Sequence, residues 1–146
     1  MPAKYKLVLR KDMRKDAAEG SKLYYASANT TGTCDVYELC DLISAQSTAS
    51  SGDVKLILDE LVNVMRRNLG KGEVVKVGEL GSFQLQFGST GTVTEKEVNQ
   101  VLIKSRRIVF RPGKLLKEAV KNYTFEKIAS GAPDEGGGED DRPGEL

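Results

Sequence analysis

Two short stretches decide how this chain folds. They are Gly78-Glu79-Leu80-Gly81-Ser82-Phe83 and, about thirty positions on, Arg111-Pro112-Gly113-Lys114-Leu115-Leu116-Lys117. The first reads as a tight turn leading into a strand that carries a buried aromatic, with Gly78 and Gly81 supplying positive φ or close backbone approach. The second reads as a strand end, a Pro-Gly break and a helix start. Pro112 suits that place because its missing N–H costs little at a helix opening. The chain between them is then a β-ribbon that leaves the body and returns.

Working outward, the period between the two stretches is two. Val75, Val77, Leu80, Phe83, Leu85 and Phe87 predict a strand, a glycine turn and a second strand. Leu102 to Phe110 predicts the returning strand, and alternation puts Phe83, Phe87 and Phe110 in the sheet core. Upstream, Asp35 and Glu38 have capping-box spacing before Val36, Leu39, Cys40 and Ile43, which predicts a short helix to about Ala45. Ser50 and Asp53 repeat the signal. Val54, Ile57, Leu58, Leu61, Val62, Met65 and Leu69 then form a stripe over a long second helix, with Gly70 expected as its left-handed cap. After Pro112, Leu115, Leu116, Ala119 and Val120 give a third helix an apolar side, while Lys114, Lys117 and Lys121 share another.

At the N-terminal end, residues 4–10 and 22–28 read as a hairpin, and residues 123–128 as one more short strand beside it. After Ile128 the composition turns to Gly, Pro and acids, which cannot bury enough apolar area to offset ordering entropy, so disorder is expected there. The predicted organisation is a β-hairpin extension over 1–33, a main domain over 34–129 and an acidic Gly-rich tail over 130–146.

The net charge of +1 hides a partition. From Ser130 onward six acids face one base, which leaves 21 bases against 15 acids upstream. Residues 104–121 hold Lys104, Arg106, Arg107, Arg111, Lys114, Lys117 and Lys121 against Glu118 alone. The first 22 residues hold seven bases against three acids. Such clustering suits a polyanion. The chain has no histidine, which removes Ser-His and Cys-His nucleophile pairs, and no Gly-x-x-x-x-Gly-Lys-Ser/Thr loop. Cys34 and Cys40 are a poor zinc pair without other soft ligands. Neither an enzyme, a cofactor, a metal site nor a small-molecule substrate is expected. No apolar run of about 18 residues is present, so no membrane span is expected, and the charged N-terminus points to the cytoplasm.

The order helix, helix, Gly-x-x-Gly-Ser-Phe, ribbon, Phe-Arg-Pro-Gly-Lys-x-x-Lys, helix resembles the bacterial HU/IHF histone-like DNA-binding proteins over about Asp35 to Lys121. The added hairpin and Gly-rich tail are similar to those of the HU-like subfamily of Bacteroidetes-type bacteria. The resemblance implies an α+β fold with two N-terminal helices, a three-stranded antiparallel sheet with an extended β-ribbon arm, and a C-terminal helix. It also implies an intertwined homodimer, a fit to the lean 39% hydrophobic content, since the stripe of the second helix would pack on its partner copy. Double-stranded DNA in the nucleoid is the implied partner. Lys114 and Lys117 map onto phosphate contacts, and the charge pattern adds Lys104, Arg106, Arg107, Arg111 and Lys121. Arg106 and Arg107 alternate in a strand, so at most one faces the duplex. The arm departs from the family: Gly91 to Asn99 holds no proline, no arginine and two glutamates, which argues against wedge intercalation and strong bending. A second reading is an interaction module on the same fold with weak or lost DNA binding, suggested by the acidic arm and an exposable hairpin edge.

Overall fold

The computed structural model describes residues 1–129. In chain order these are β1 (Ala3–Lys11), β2 (Lys22–Asn29), α1 (Val36–Ala45), α2 (Ser51–Gly70), β3 (Val75–Val77), β4 (Gly81–Ser89), β5 (Ile103–Pro112), α3 (Lys114–Asn122) and β6 (Phe125–Lys127). The expectation of a disordered tail over 130–146 lies outside the described residues. Within 1–129 the chain divides into two compact units, one of residues 1–33 with 120–129, the other of residues 34–119.

In the first unit β1 and β2 form an antiparallel hairpin from Lys4↔Asn29 to Lys11↔Lys22. Its loop closes through Asp12 N–H donating to the Ser21 carbonyl at 2.9 Å. β6 adds to the other side of β1 in parallel register, Ala3↔Phe125 to Tyr5↔Lys127. The pairing ties 125–127 to the hairpin sheet, so the main domain expected over 34–129 loses its last residues to the other unit. The sheet order is β2-β1-β6.

In the second unit both helices open where the sequence predicts, α1 with only the Asp35 half of its capping box. Asp35 accepts from the Glu38 N–H at 2.9 Å and opens α1. At α2 the box is reciprocal: Ser50 Oγ accepts from Asp53 N–H at 3.1 Å, and Asp53 accepts from Ser50 N–H at 3.2 Å. A Ser50→Ala variant should therefore lose about 1 kcal/mol of stability by urea titration, the ordinary value of an N-cap. The far end of α2 corrects the sequence expectation. Gly70 stays helical, and the left-handed residue is Gly72 at φ +82. Gly72 N–H donates to the Leu69 carbonyl and Glu73 N–H to that of Asn68, the paired bonds of a Schellman motif, which need the positive φ two residues later.

α1 packs on α2, and α2 on β3 and β4. The buried apolar residues among those described are Cys40, Val54 and Leu69. Much of the α2 stripe is uncovered, with Ile57 63% and Val62 57% exposed. The sheet runs β3-β4-β5, antiparallel throughout. A 3-10 turn over Gly78–Leu80 links β3 to β4. The two deciding stretches meet here. Gly81 pairs with Pro112, and Gly113 N–H donates to the Leu80 carbonyl at 3.1 Å.

The ribbon pairs over the two strands that the sequence predicts. Its ladder ends at Ser89↔Ile103, with Thr90 N–H donating to the Leu102 carbonyl. Beyond lie two 3-10 turns, Glu95–Glu97 and Gln100–Leu102. Side chains hold them: Thr92 Oγ1 donates to the Thr94 carbonyl at 2.8 Å, and Asn99 Oδ1 accepts from Val101 N–H at 3.0 Å. Such local bonds compete with a ladder for the same backbone groups.

Candidate functional site

Cross-strand partners share a face of an antiparallel sheet, so register sorts the β3-β4-β5 residues into two sets. Phe83 pairs with Phe110 and Leu85 with Ile108, while Val75 pairs with Phe83 on the same side. The Phe83 and Phe110 rings lie 4.9 Å apart between centroids, tilted by 32°. That is the apolar face. Phe87 belongs to it by alternation but is 56% exposed, so the expected buried position is uncovered in the single chain.

The other face carries Ser82, Gln84 and Gln86 from β4, opposite Arg111, Val109 and Arg107. Arg107 Nη2 donates to Gln86 Oε1 at 3.3 Å, as neighbours on one face should. Lys76 joins them through its pairing with Ser82.

Between Gln86 and Gly88 the register shifts: Gln86 faces Arg107, but Gly88 faces Lys104. β5 has one residue too many there, and Ser105 takes φ +52 to accommodate it. This is a β-bulge, which re-aims the residues around it. In an unbroken strand Lys104 and Arg107, three apart, point to opposite faces. The bulge puts them on the same one. Lys76, Lys104, Arg107 and Arg111 thus occupy a polar sheet face whose register positions hold no carboxylate. Arg106 has no cross-strand partner in the bulge, and alternation with Ile108 and Phe110 puts it on the apolar side.

Of the residues expected from sequence, Lys104, Arg107 and Arg111 come together and Arg106 does not. Lys114 and Lys117 follow three and six residues after Arg111, in the first turns of α3. Lys114 lies 4.0 Å from Glu118 with an 82% exposed side chain, an ion pair too exposed to neutralise it for another partner. Lys121 shares their helix side by spacing, though it falls in the stretch that clusters with the hairpin. Lys76 was missed. The alternation Val75-Lys76-Val77 carried the signal, since a lysine between two inward valines must face outward. Among the described residues no group of three His, Cys, Asp or Glu side chains is placed to hold a metal ion, and no helix is long and apolar enough to cross a membrane.

A row of cations on a flat sheet, unbroken by acids, is an arrangement for a phosphate-bearing polymer or an acidic protein surface. Comparison with known proteins narrows this. Residues 1–127 match the family described as HU domain fused to wHTH, Ig, or Glycine-rich motif. The chain belongs to this family. Within this HU-domain family's wider kin, the DNA-binding protein HU of Thermotoga maritima is 35% identical over 86 residues, 58% of this chain and 96% of that protein. The integration host factor subunit alpha of Vibrio cholerae is 32% identical over 92 residues, 62% of this chain and 94% of that protein. In the solved structures, one from Bacteroides vulgatus superposes with a TM-score of 0.60 at 20% identity over 86% of this chain, a likeness of fold. The chain spans about half (48%) of that structure's length.

Proposed function

We propose that this HU-domain protein is a non-enzymatic, histone-like binder of double-stranded DNA in the bacterial cytoplasm, acting on the nucleoid largely without regard to sequence. The observation that carries this reading is the acid-free face of Lys76, Lys104, Arg107 and Arg111, gathered by the bulge at Ser105. Lys114, Lys117 and Lys121 on α3 add to the positive charge. These residues reach phosphates rather than base edges, so they position the duplex without reading it. The names of the relatives support the same ligand.

A homodimer completes the reading. The exposed apolar residues of α2, together with Leu115 and Val120 of α3 (59% and 58% exposed), need a second copy to cover them. The arm tip bends DNA little, because it offers Glu95 and Glu97 and neither proline nor arginine.

A salt-titrated gel shift with a short duplex tests the proposal. If four or more phosphates are neutralised, log K should fall against log salt with a slope of roughly −3.6 or steeper, about −0.9 per phosphate. No retention at about 50 mM salt, or a flat dependence, removes the reading. The acidic arm tip supports a second one, an interaction module that has lost DNA affinity. Lys114→Glu with Lys117→Glu separates the two: DNA retention drops under the first and function in cells stays intact under the second.

A further inference from the structure

The hairpin unit carries charge and aromatic surface that the sheet face of the other unit does not use. On one side of the hairpin Val8 pairs with Tyr25, Arg10 with Leu23 and Lys6 with Ser27. A groove of about 500 Å³ runs over this part of the sheet, lined by Val8, Arg10, Lys11, Met13, Tyr25 and Ser27 among others. Its lining holds two cations and no carboxylate. Tyr25 and Met13 are exposed along it.

Next to this groove lies the one buried charged group among the described residues, Asp12. Its carboxylate is held chiefly by one arginine. Arg14 Nε donates to Oδ1 at 3.0 Å and to Oδ2 at 3.1 Å, and Nη2 donates to Oδ2 at 2.7 Å. The Arg14 backbone N–H also donates to Oδ1, at 3.0 Å. That backbone bond alone would shape the turn. The three side-chain bonds do something further: they fix the guanidinium in one orientation while the Arg14 side chain stays 71% exposed. Hydrogen bonding to Arg14 lowers the Asp12 pKa, so the clasp is ionised at neutral pH. A guanidinium fixed in advance loses less freedom when it meets an oxyanion, and its planar fork of N–H donors can meet two oxygens of one phosphate.

We infer that this groove is a second contact for a nucleic-acid backbone, with Arg10 and Lys11 of its lining, and Arg14 beside it, taking phosphates and Tyr25 lying against a sugar or base. Charge complementarity favours a phosphodiester strand, because the lining is free of acids and joins two cations to an exposed aromatic ring, the combination that single strands and frayed duplex ends use. The inference rests on the proposal that the chain binds DNA, but it concerns different residues in a different unit. Phosphates of a duplex flank and of a single strand share the same chemistry, and the experiment separates them.

The test uses the full chain with Arg10→Glu and Lys11→Glu together, alongside the neutral pair Arg10→Gln and Lys11→Gln and the conservative pair Arg10→Lys and Lys11→Arg. Each is titrated with a duplex and with a single-stranded oligonucleotide over a range of salt, after thermal melts establish that it folds like the parent. The reversed pair should bind about tenfold or more weakly at low salt, with a salt slope shallower by about 1.8, two phosphates' worth. The neutral pair should lose the same slope, and the conservative pair should keep it. A Tyr25→Leu variant should weaken the single strand more than the duplex if a base stacks there, and both equally if the ring meets only sugar. Parent-like slopes in the reversed and neutral pairs overturn the inference and leave the sheet-face proposal standing. Parent-like DNA binding combined with lost binding of a polyglutamate peptide overturns it in favour of an acidic protein partner. A parent chain that binds neither nucleic acid overturns both readings.

Discussion

Gly81→Ala should cost the helix-and-ribbon unit about 3 kcal/mol or more, enough to unfold it under mild denaturant. A Cβ built at Gly81 stands 2.2 Å from the Arg111 carbonyl oxygen, 2.9 Å from the Phe110 ring and 3.0 Å from the Gly113 nitrogen. The φ of +137 at this residue is also closed to side-chain-bearing residues without strain. The two backbone contacts cannot yield, because Gly81 lies in the central strand, paired with Val77 on one side and Pro112 on the other. Gly113→Ala should behave alike for a purely steric reason, since its Cβ would meet the Glu79 carbonyl oxygen at 2.1 Å.

Two controls grade the effect. Gly78 has φ +49 but open space around it, so alanine there meets only the left-handed penalty of about 1–2 kcal/mol. At Gly88 a Cβ would make ordinary contacts at 3.9 Å, and alanine should change little. Urea titrations of the four variants check the order. If Gly81→Ala unfolds within about 1 kcal/mol of the parent, the interlock of the two deciding stretches is not what holds this sheet.

How far the sequence reached depends on whether a feature is local. The caps at Asp35 and Ser50, the glycine turn and the Pro-Gly break each announce themselves within four or five residues, and the structure has them all. Glycine is a clear marker of close backbone approach, so both halves of the interlock could be read without knowing that they touch. The bulge could not. Lys104-Ser105-Arg106-Arg107 reads as plain alternation, and a serine gives no sign that it will take a positive φ; only the pairing with β4 reveals the extra residue. The short strand at 123–128 is legible beside the hairpin, but its parallel sense and its choice of β1 are not, because the partners are over a hundred positions apart. The returning strand from about Leu102 is also legible, while the side-chain bonds of Thr92 and Asn99 that shape the tip are not. The uncovered faces of α2 and α3 are legible only as excess: the stripe is broader than one chain can bury.

The bulge leads to the sharpest functional expectation, a difference between two adjacent arginines. Arg107→Glu should weaken duplex binding about tenfold and Arg106→Glu by no more than about threefold, although they are neighbours with the same charge. The reason is their register. Arg107 sits opposite Gln86 on the face shared with Lys76, Lys104 and Arg111, whereas Arg106 has no cross-strand partner in the bulge and alternates with Ile108 and Phe110 onto the apolar side. A model of the arm as a diffuse cloud of positive charge predicts equal losses, since both residues change the net charge alike. Reversal of Lys104, Arg107 and Arg111 together should reduce affinity by about a thousandfold at about 100 mM salt and flatten the salt slope by about 2.7, three phosphates' worth. Fluorescence anisotropy with a labelled duplex over a salt series reads both quantities in one titration. Equal losses from Arg106→Glu and Arg107→Glu would show that the sheet face does not meet the duplex, and the contact would then have to be sought on α3. The triple variant also separates fold from function, since its three positions are exposed and its melt should match the parent's. A binding loss without a stability loss is the signature of a surface that exists to meet a partner.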